Sequence, residues 1–257
     1  MLVLGIESSC DESAVALVRD GREIVTSLVA TQIELHKPYG GIVPEVACRA
    51  HAEWLTPLVV EALDKAGVKL DDLDLIAATA RPGLIGALLV GLTAGKTLAM
   101  ATGKPFVGVD HIDGHIHAVR MANPEMPFPH LSLVVSGGHT ELYLSPSAIE
   151  KQLVSATSDD AAGECFDKVS ALLGLGYPGG PAIEAAAKGG NSQAIDFPRG
   201  KAGDDGMGMS FSGLKTAVLY HMQRQGYRVL AGRPRLEKPA EEGSSPTPIA
   251  DVAASFQ

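Results

Sequence analysis

The chain has 257 residues, 46% of them apolar and 20% charged, enough for one large core or two modest ones, which excludes a disulfide-stapled miniprotein and a disordered tail. With 21 basic and 30 acidic side chains the net charge is −9, which argues against broad, unassisted binding to a nucleic-acid backbone. Cys10, Cys48 and Cys165 are odd in number, widely spaced and without a CxxC pair, so they indicate neither a disulfide framework nor a structural zinc site and fit a reducing cytosol.

The opening residues MLVLGIESSCDES hold no basic segment, and Glu7 interrupts their apolar run, so they read as folded protein and not as a signal peptide. Strands are expected at 2–7, 14–18 and 23–29, an antiparallel meander in which Asp20-Gly21 supplies the two-residue turn that matches strand twist. Pro44 then opens a long helix, with Val46, Trp54, Leu55, Leu58, Val59 and Leu63 at helical spacing up to a glycine stop at Gly67. Strand 73–80, helix 84–101, strand 106–109 and helix 111–122 follow, an alternation that belongs to a mixed sheet. Segment 84–101 is about the minimum length for a membrane span, but Lys96, its glycines and threonines, and the lack of flanking anchors make it a buried helix.

After the proline-rich 124–129 the pattern restarts: strand 131–135, a Ser-Gly-Gly turn, strand 140–144, then helical segments at 161–173 and 181–188. The second half thus echoes the first, and two lobes are expected, at 1–128 and 129–257. Residues 226–248, dense in Gly, Pro, Ser and charge, read as a mobile loop.

Several motifs carry chemistry. Gly91-Leu-Thr-Ala-Gly-Lys-Thr97 imitates a P-loop, but it has three residues between its glycines where four are needed and lies inside an apolar helix, so its amides do not cradle a phosphate. Glu7-Ser-Ser-Cys-Asp-Glu-Ser13 joins two strands and gathers hydroxyls and carboxylates. Ser9 and the loop amides suit phosphate oxygens there, and Asp11 or Glu12 suits a proton or a cation. The same architecture recurs at Ser136-Gly-Gly-His-Thr140, whose glycines allow close backbone approach; two facing loops of this kind suggest a phosphate clamp between lobes. His111-Ile-Asp-Gly-His115 sets two imidazoles at i and i+4 on one helical face, beside Asp110 and Asp113, where they can chelate one metal. Ile112 stands where a zinc protease of the HExxH type has its glutamate.

Asp160, Glu164 and Asp167 form a carboxylate stripe suited either to ribose hydroxyls or to the dipole of an early helix. Tyr177-Pro-Gly-Gly-Pro181 precedes a helix whose N-terminus suits an anion or nucleotide. Residues 199–238 carry eight basic against three acidic side chains, a local +5 that suits a polyanion or simply a solvated face.

Taken in order, LGIESSCDES, HKPYGGIVPE, RPGLIGALLVG, HIDGHIHA, LVVSGGHTEL, SDDAAGECFDK, GYPGGP and FSGLKTA closely resemble the universal family of tRNA threonylcarbamoyladenosine-forming transferases, once called glycoproteases, in its bacterial catalytic branch. The resemblance is collinear through nearly the whole chain. It implies an α/β fold of the actin-like ATPase and sugar-kinase type (ribonuclease H-like) in two lobes, and one iron, or alternatively zinc, held by His111 and His115. It implies nucleotide and substrate contacts from Ser9, Val134, Val135, Ser136, Gly137, Gly138, Asp167 and Gly180, and from Glu184, where some relatives carry aspartate.

The implied reaction moves a threonylcarbamoyl group from threonylcarbamoyl-AMP to N6 of the adenosine just 3′ of the anticodon in tRNAs reading codons that begin with A. Asp11 or Glu12 is the candidate base. The implied partners are TsaB-like and TsaE-like subunits in the cytoplasm, with no membrane. The family continues past 250–257 into a glycine-rich nucleotide-binding segment and an aspartate that completes the metal site. The expectation is therefore a chain shortened at its C-terminus, two histidine ligands with open coordination positions, a nucleotide site lacking one wall and an incomplete second sheet with exposed apolar surface. A non-catalytic scaffold of the same fold and a metalloprotease are the rival readings; the paired histidines count against the first, Ile112 against the second.

Overall fold

The first hairpin follows from its turn. In the computed structural model, which describes residues 1–202, 207–229, 236–237 and 247–257, Asp20 and Gly21 both take positive φ, 51° and 69°. The Arg22 N–H donates to the Arg19 carbonyl at 3.1 Å, a mirror-image turn whose twist matches the strands it joins. Strands β1 (Leu2–Glu7), β2 (Glu12–Arg19) and β3 (Glu23–Thr31) run antiparallel. Period-two alternation puts Leu2, Leu4, Ile6, Val15 and Leu17 on the buried face.

A short helix α1 (Ile33–His36) and a 3-10 turn, Lys37–Tyr39, lead to the long α2 (Pro44–Ala66). Pro44 starts α2 with a φ already suited to a helix, and Gly67 ends it in the left-handed conformation at φ 66°. Its Leu55, Leu58, Val59, Ala62 and Leu63 close over the meander.

Strand β4 (Leu75–Arg81) pairs parallel to β1, and β5 (Phe106–Asp110) parallel to β4. The sheet order is β3-β2-β1-β4-β5, the ribonuclease H-like order that underlies actin-like ATPases and sugar kinases. Truncating a wholly buried residue such as Leu4 or Leu17 to alanine costs about 2–5 kcal/mol.

Between these parallel strands lies α3 (Ile85–Thr102), long and apolar enough to cross a membrane, with 28% of its length buried. It is a partly covered layer of the unit where a buried helix was expected. Ala87, Leu88, Gly91, Gly95 and Ala99 face inward while Ile85, Leu89 and Met100 are exposed. Helix α4 (His111–Ala122) follows β5 directly.

The chain divides into two compact units, Met1–Met126 and Pro127–Gln257. The second opens with its own antiparallel meander, β6 (His130–Val135), β7 (Thr140–Ser145) and β8 (Gln152–Ala156), in that spatial order. Among the described residues this sheet has three strands, and Leu131, Leu133 and Val135 of β6 are exposed. Helices α5 (Ala162–Leu173), α6 (Gly179–Ala187), α7 (Ser212–Arg224) and α8 (Ile249–Phe256) enclose a second core of Cys165, Val169, Ile183, Val218, Met222, Val252 and Phe256.

Several elements escaped the sequence reading, β8 and α7 among them. Strand β8 buries no clean alternating face, and α7 buries only Val218 and Met222 among polar neighbours. The expected loop 226–248 lies largely outside the described residues.

Candidate active site

The loop that leaves β1 is fastened to α3 by two serines. Ser8, buried, donates its hydroxyl to the Ala87 carbonyl at 2.8 Å and accepts the Gly91 N–H at 3.2 Å. A Cβ on Gly91 would collide with that hydroxyl, so the glycine that imitates a P-loop serves close packing of helix on loop. The Ser9 carbonyl accepts the Leu84 N–H at 2.8 Å, and a Cβ on Gly83 would lie 2.6 Å from the same oxygen.

Behind the loop, His51 of α2 is completely buried and spans it. Its Nε2–H donates to the Cys10 carbonyl at 3.0 Å and its Nδ1 accepts the Ser13 hydroxyl at 2.7 Å, a pairing fixed because a carbonyl can only accept. The turn so clamped carries Asp11 and Glu12. Asp11 is half-buried, with its carbonyl accepting the Gln32 N–H at 3.0 Å; Glu12 is exposed at the head of β2, opposite Thr31. Burial, with Asp11 alongside, pushes the Cys10 thiol up to about 12, so it stays protonated and unreactive.

Helix α4 begins where β5 ends, and Asp110 caps it: its Oδ1 accepts the Ile112 and Asp113 N–H groups at 2.9 and 3.4 Å. Asp110 Oδ1 is thereby taken up in capping the helix. One turn apart, the imidazoles converge, with Nε2 of His115 3.0 Å from Nε2 of His111 and the rings nearly perpendicular at 79°. The other nitrogen of His111, Nδ1, lies 3.0 Å from Glu7 Oε2 and 3.2 Å from the Ser9 hydroxyl. Glu7 in turn accepts the Thr79 hydroxyl at 2.6 Å and the Ser9 N–H. Burial opposes the charge on Glu7, but hydrogen bonds from His111, Ser9 and Thr79 outweigh it and leave the carboxyl at about 2. The Glu7 hydrogen bond raises the His111 pKa against the effect of burial. Sequence reading counted Glu7 among the loop carboxylates and missed this contact, because Glu7, Thr79 and His111 stand far apart in the chain.

In the second unit, the loop after β6 is held from within. The Ser136 hydroxyl accepts the Gly138 and His139 N–H groups at 3.3 and 3.0 Å. Val134 is buried and Val135 exposed, and a Cβ on Gly137 or Gly138 would touch nothing within 4 Å. Helix α5 docks on this loop through Gly163, whose N–H donates to the Ser136 carbonyl at 3.1 Å and whose Cβ, if present, would lie 2.6 Å from that oxygen. The Ala162 N–H goes to the Thr140 hydroxyl at 2.8 Å, so these first amides of α5 are spent inside the fold.

The carboxylate stripe has protein partners: Asp160 pairs with Lys168 at 2.7 Å and Lys215 at 2.9 Å, and Glu164 with Lys168 at 2.8 Å. Lys215, counted in the basic stretch, is engaged by Asp160; the rest of that stretch lies partly outside the described residues. Asp167 Oδ1 accepts the Gly179 N–H at 2.7 Å, which ties α5 to the start of α6 and takes up one amide of the helix N-terminus expected to receive an anion. Gly180 has open space beside its Cα and Glu184 is exposed on α6. Asp159, singled out by no motif, caps α7: its oxygens accept the Phe211 and Ser212 N–H groups at 2.8 and 3.2 Å and the Ser210 and Ser212 hydroxyls.

Against known proteins, the sequence model of the family described as "TsaD: tRNA N6-adenosine threonylcarbamoyltransferase" matches residues 23–257. The chain belongs to the TsaD family. The tRNA N6-adenosine threonylcarbamoyltransferase of Trichormus variabilis is 50% identical over 99% of this chain and 70% of its own length. The enzyme of the same name from Sinorhizobium medicae is 51% identical over 100% of the chain and 68% of its own. The chain thus spans about 70% of the length of these TsaD relatives. Among solved structures, YeaZ from Pseudomonas aeruginosa is 23% identical over 60% of this chain and 66% of that one, at a TM-score of 0.39. As a TsaD member the chain is a transferase of the tRNA N6-adenosine threonylcarbamoyltransferase family.

Proposed function

We propose that the transfer is carried out beside the loop that follows β1, with His111 and His115 holding a divalent cation. The observation that carries this reading is the 3.0 Å approach of their two Nε2 atoms. Two ligands in adjacent positions at about 2.1 Å from one ion stand about 3 Å apart. The donors fit such an ion in part: among the described residues no group of three or more His, Cys, Asp or Glu is arranged to hold a metal, so the remaining positions fall to other groups. Imidazole donors suit iron and zinc alike; iron(II) is the ion we assign, one per chain. When bound, the cation neutralises developing charge on phosphate and carbonyl oxygens of the substrate.

The chain's own residues do the rest. An exocyclic adenine amine is a weak nucleophile because its lone pair is delocalised into the ring, whereas AMP leaves readily from a mixed anhydride. Rate therefore depends on orientation and on removal of the amine proton. Asp11 or Glu12, on the turn clamped by His51, takes that proton. In the first unit Ser9 offers a hydroxyl to substrate; in the second, Ser136, Gly137 and Gly138 offer a hydroxyl and open backbone, aided by Val134 and Val135 of β6. Asp167, Gly180 and Glu184 contribute from α5 and α6. TsaB-like and TsaE-like subunits complete the assembly in the cytoplasm, and with a net charge of −9 the isolated chain holds tRNA weakly.

The test supplies the chain, extended to the length of its relatives, to cells depleted of their own enzyme, and measures threonylcarbamoyladenosine in digested tRNA by mass spectrometry. Restoration by the parent and none by His111→Ala, with an unchanged circular dichroism spectrum, supports the reading. Full restoration by His111→Ala rules it out.

A further inference from the structure

We propose that Glu7 is a positioning residue for the cation site: it holds His111 in the tautomer whose Nε2 lone pair faces His115. This rests on the proposed metal reading and deepens it.

The argument is one of proton inventory. An ionised carboxylate can only accept, so the 3.0 Å contact between Glu7 Oε2 and His111 Nδ1 requires a proton on Nδ1. A neutral imidazole carries one proton, so Nε2, across the same ring, presents a lone pair. That atom is the one lying 3.0 Å from His115 Nε2. In water the preference of a histidine side chain runs the other way, toward a proton on Nε2, and the carboxylate reverses it.

Glu7 is itself held rigid. Thr79, 7% exposed on the neighbouring strand β4, donates to the carboxylate oxygen that faces His111, while the Ser9 N–H occupies the other oxygen. The carboxylate therefore has a fixed direction, and so does the ring. Its negative charge also strengthens the donor power of Nε2, as carboxylates behind metal-bound histidines do generally. Glu7 lies on the Nδ1 side of the ring, away from the converging Nε2 pair, which gives it the role of orienting the ligand instead of binding the ion.

The experiment uses the 257-residue chain and two readouts. In the chelator-treated protein, long-range proton–nitrogen NMR of the His111 ring reports the tautomer. Titration with cobalt(II), followed by its visible absorption, reports affinity. The expected result is a proton on Nδ1 in the parent and on Nε2 in Glu7→Ala, with cobalt affinity falling about 10- to 100-fold. Glu7→Leu fills similar volume without an acceptor and serves if the alanine variant fails to fold; the same two changes are expected of it.

A parent chain with its proton on Nε2 overturns the proposal. Unchanged cobalt affinity in a folded Glu7 variant overturns it while leaving the metal reading intact. Cobalt binding that is absent in the parent, or indifferent to His111→Ala and His115→Ala, overturns the metal reading and the proposal with it.

Discussion

The two units begin with the same device and finish it differently. Each opens with an antiparallel meander whose first turn gathers serines or glycines close to a helix start. In the first unit the loop is tied to the following helix by side chains: Glu7 and the Ser9 hydroxyl lie against His111 Nδ1, and the two histidine Nε2 atoms converge. In the second it is closed by amides, with Ser136, Thr140 and the Ser136 carbonyl absorbing the N–H groups of residues 138, 139, 162 and 163. One backbone frame thus carries a pair of converging imidazoles in one place and a close-packed loop with open glycines in the other. The difference lies in which side chains the following elements deliver.

This contrast can be broken experimentally. The largest effect is expected on activity: His115→Ala should lower threonylcarbamoyladenosine formation by at least about 100-fold, as removal of a charge-stabilising group does. Ser136→Ala, which removes the acceptor of the second loop's internal bonds and one proposed substrate-facing hydroxyl, should cost about 10-fold or less. Both are read by mass spectrometry of tRNA digests; equal losses would erase the distinction between the loops.

Next comes stability. Gly179→Ala brings a Cβ to 2.5 Å from the Asp167 Cα, and Gly163→Ala to 2.6 Å from the Ser136 carbonyl. Each should destabilise the protein by about 1–3 kcal/mol in urea unfolding followed by circular dichroism. Gly137→Ala, with nothing near, should stay within about 0.5 kcal/mol.

A smaller loss, about 1 kcal/mol, is expected for Asp159→Ala, which uncaps α7. The same unfolding curves measure it.

The smallest effect is a pH dependence confined to acid. Burial works against the charge on Asp160, but Lys168 and Lys215 outweigh it and lower its pKa. Hydrogen bonds from Ser210 and Ser212 likewise prevail over desolvation at Asp159. A carboxyl depressed on folding stabilises fully above its unfolded value, about 3.9, and that contribution is lost as pH falls through the folded value. Melting temperature should drop below about pH 4, and Asp160→Asn should flatten part of that slope.

Much of this was legible in the chain. Pro44 and Gly67 bound α2, Asp20-Gly21 makes the turn expected of it, and the i, i+4 spacing of His111 and His115 does place both rings on one face of α4. These features are local: a φ preference, a helical period, a missing Cβ. What was missed is non-local. Helical spacing alone sets Asp160 and Glu164 in one stripe, but Lys215, more than fifty residues away, is what pairs with Asp160.

What the sequence determined by itself was the order of most strands and helices, the family and the two imidazoles, since each depends on neighbours within a few turns or on collinear motifs. Only the tertiary structure decided that Glu7 and Thr79 stand behind His111, that Gly91 exists for Ser8, and that Gly163 and Asp167 lock α5 in place. Those contacts join residues far apart in the chain, and no local propensity encodes which carboxylate the packed sheet will set against which ring.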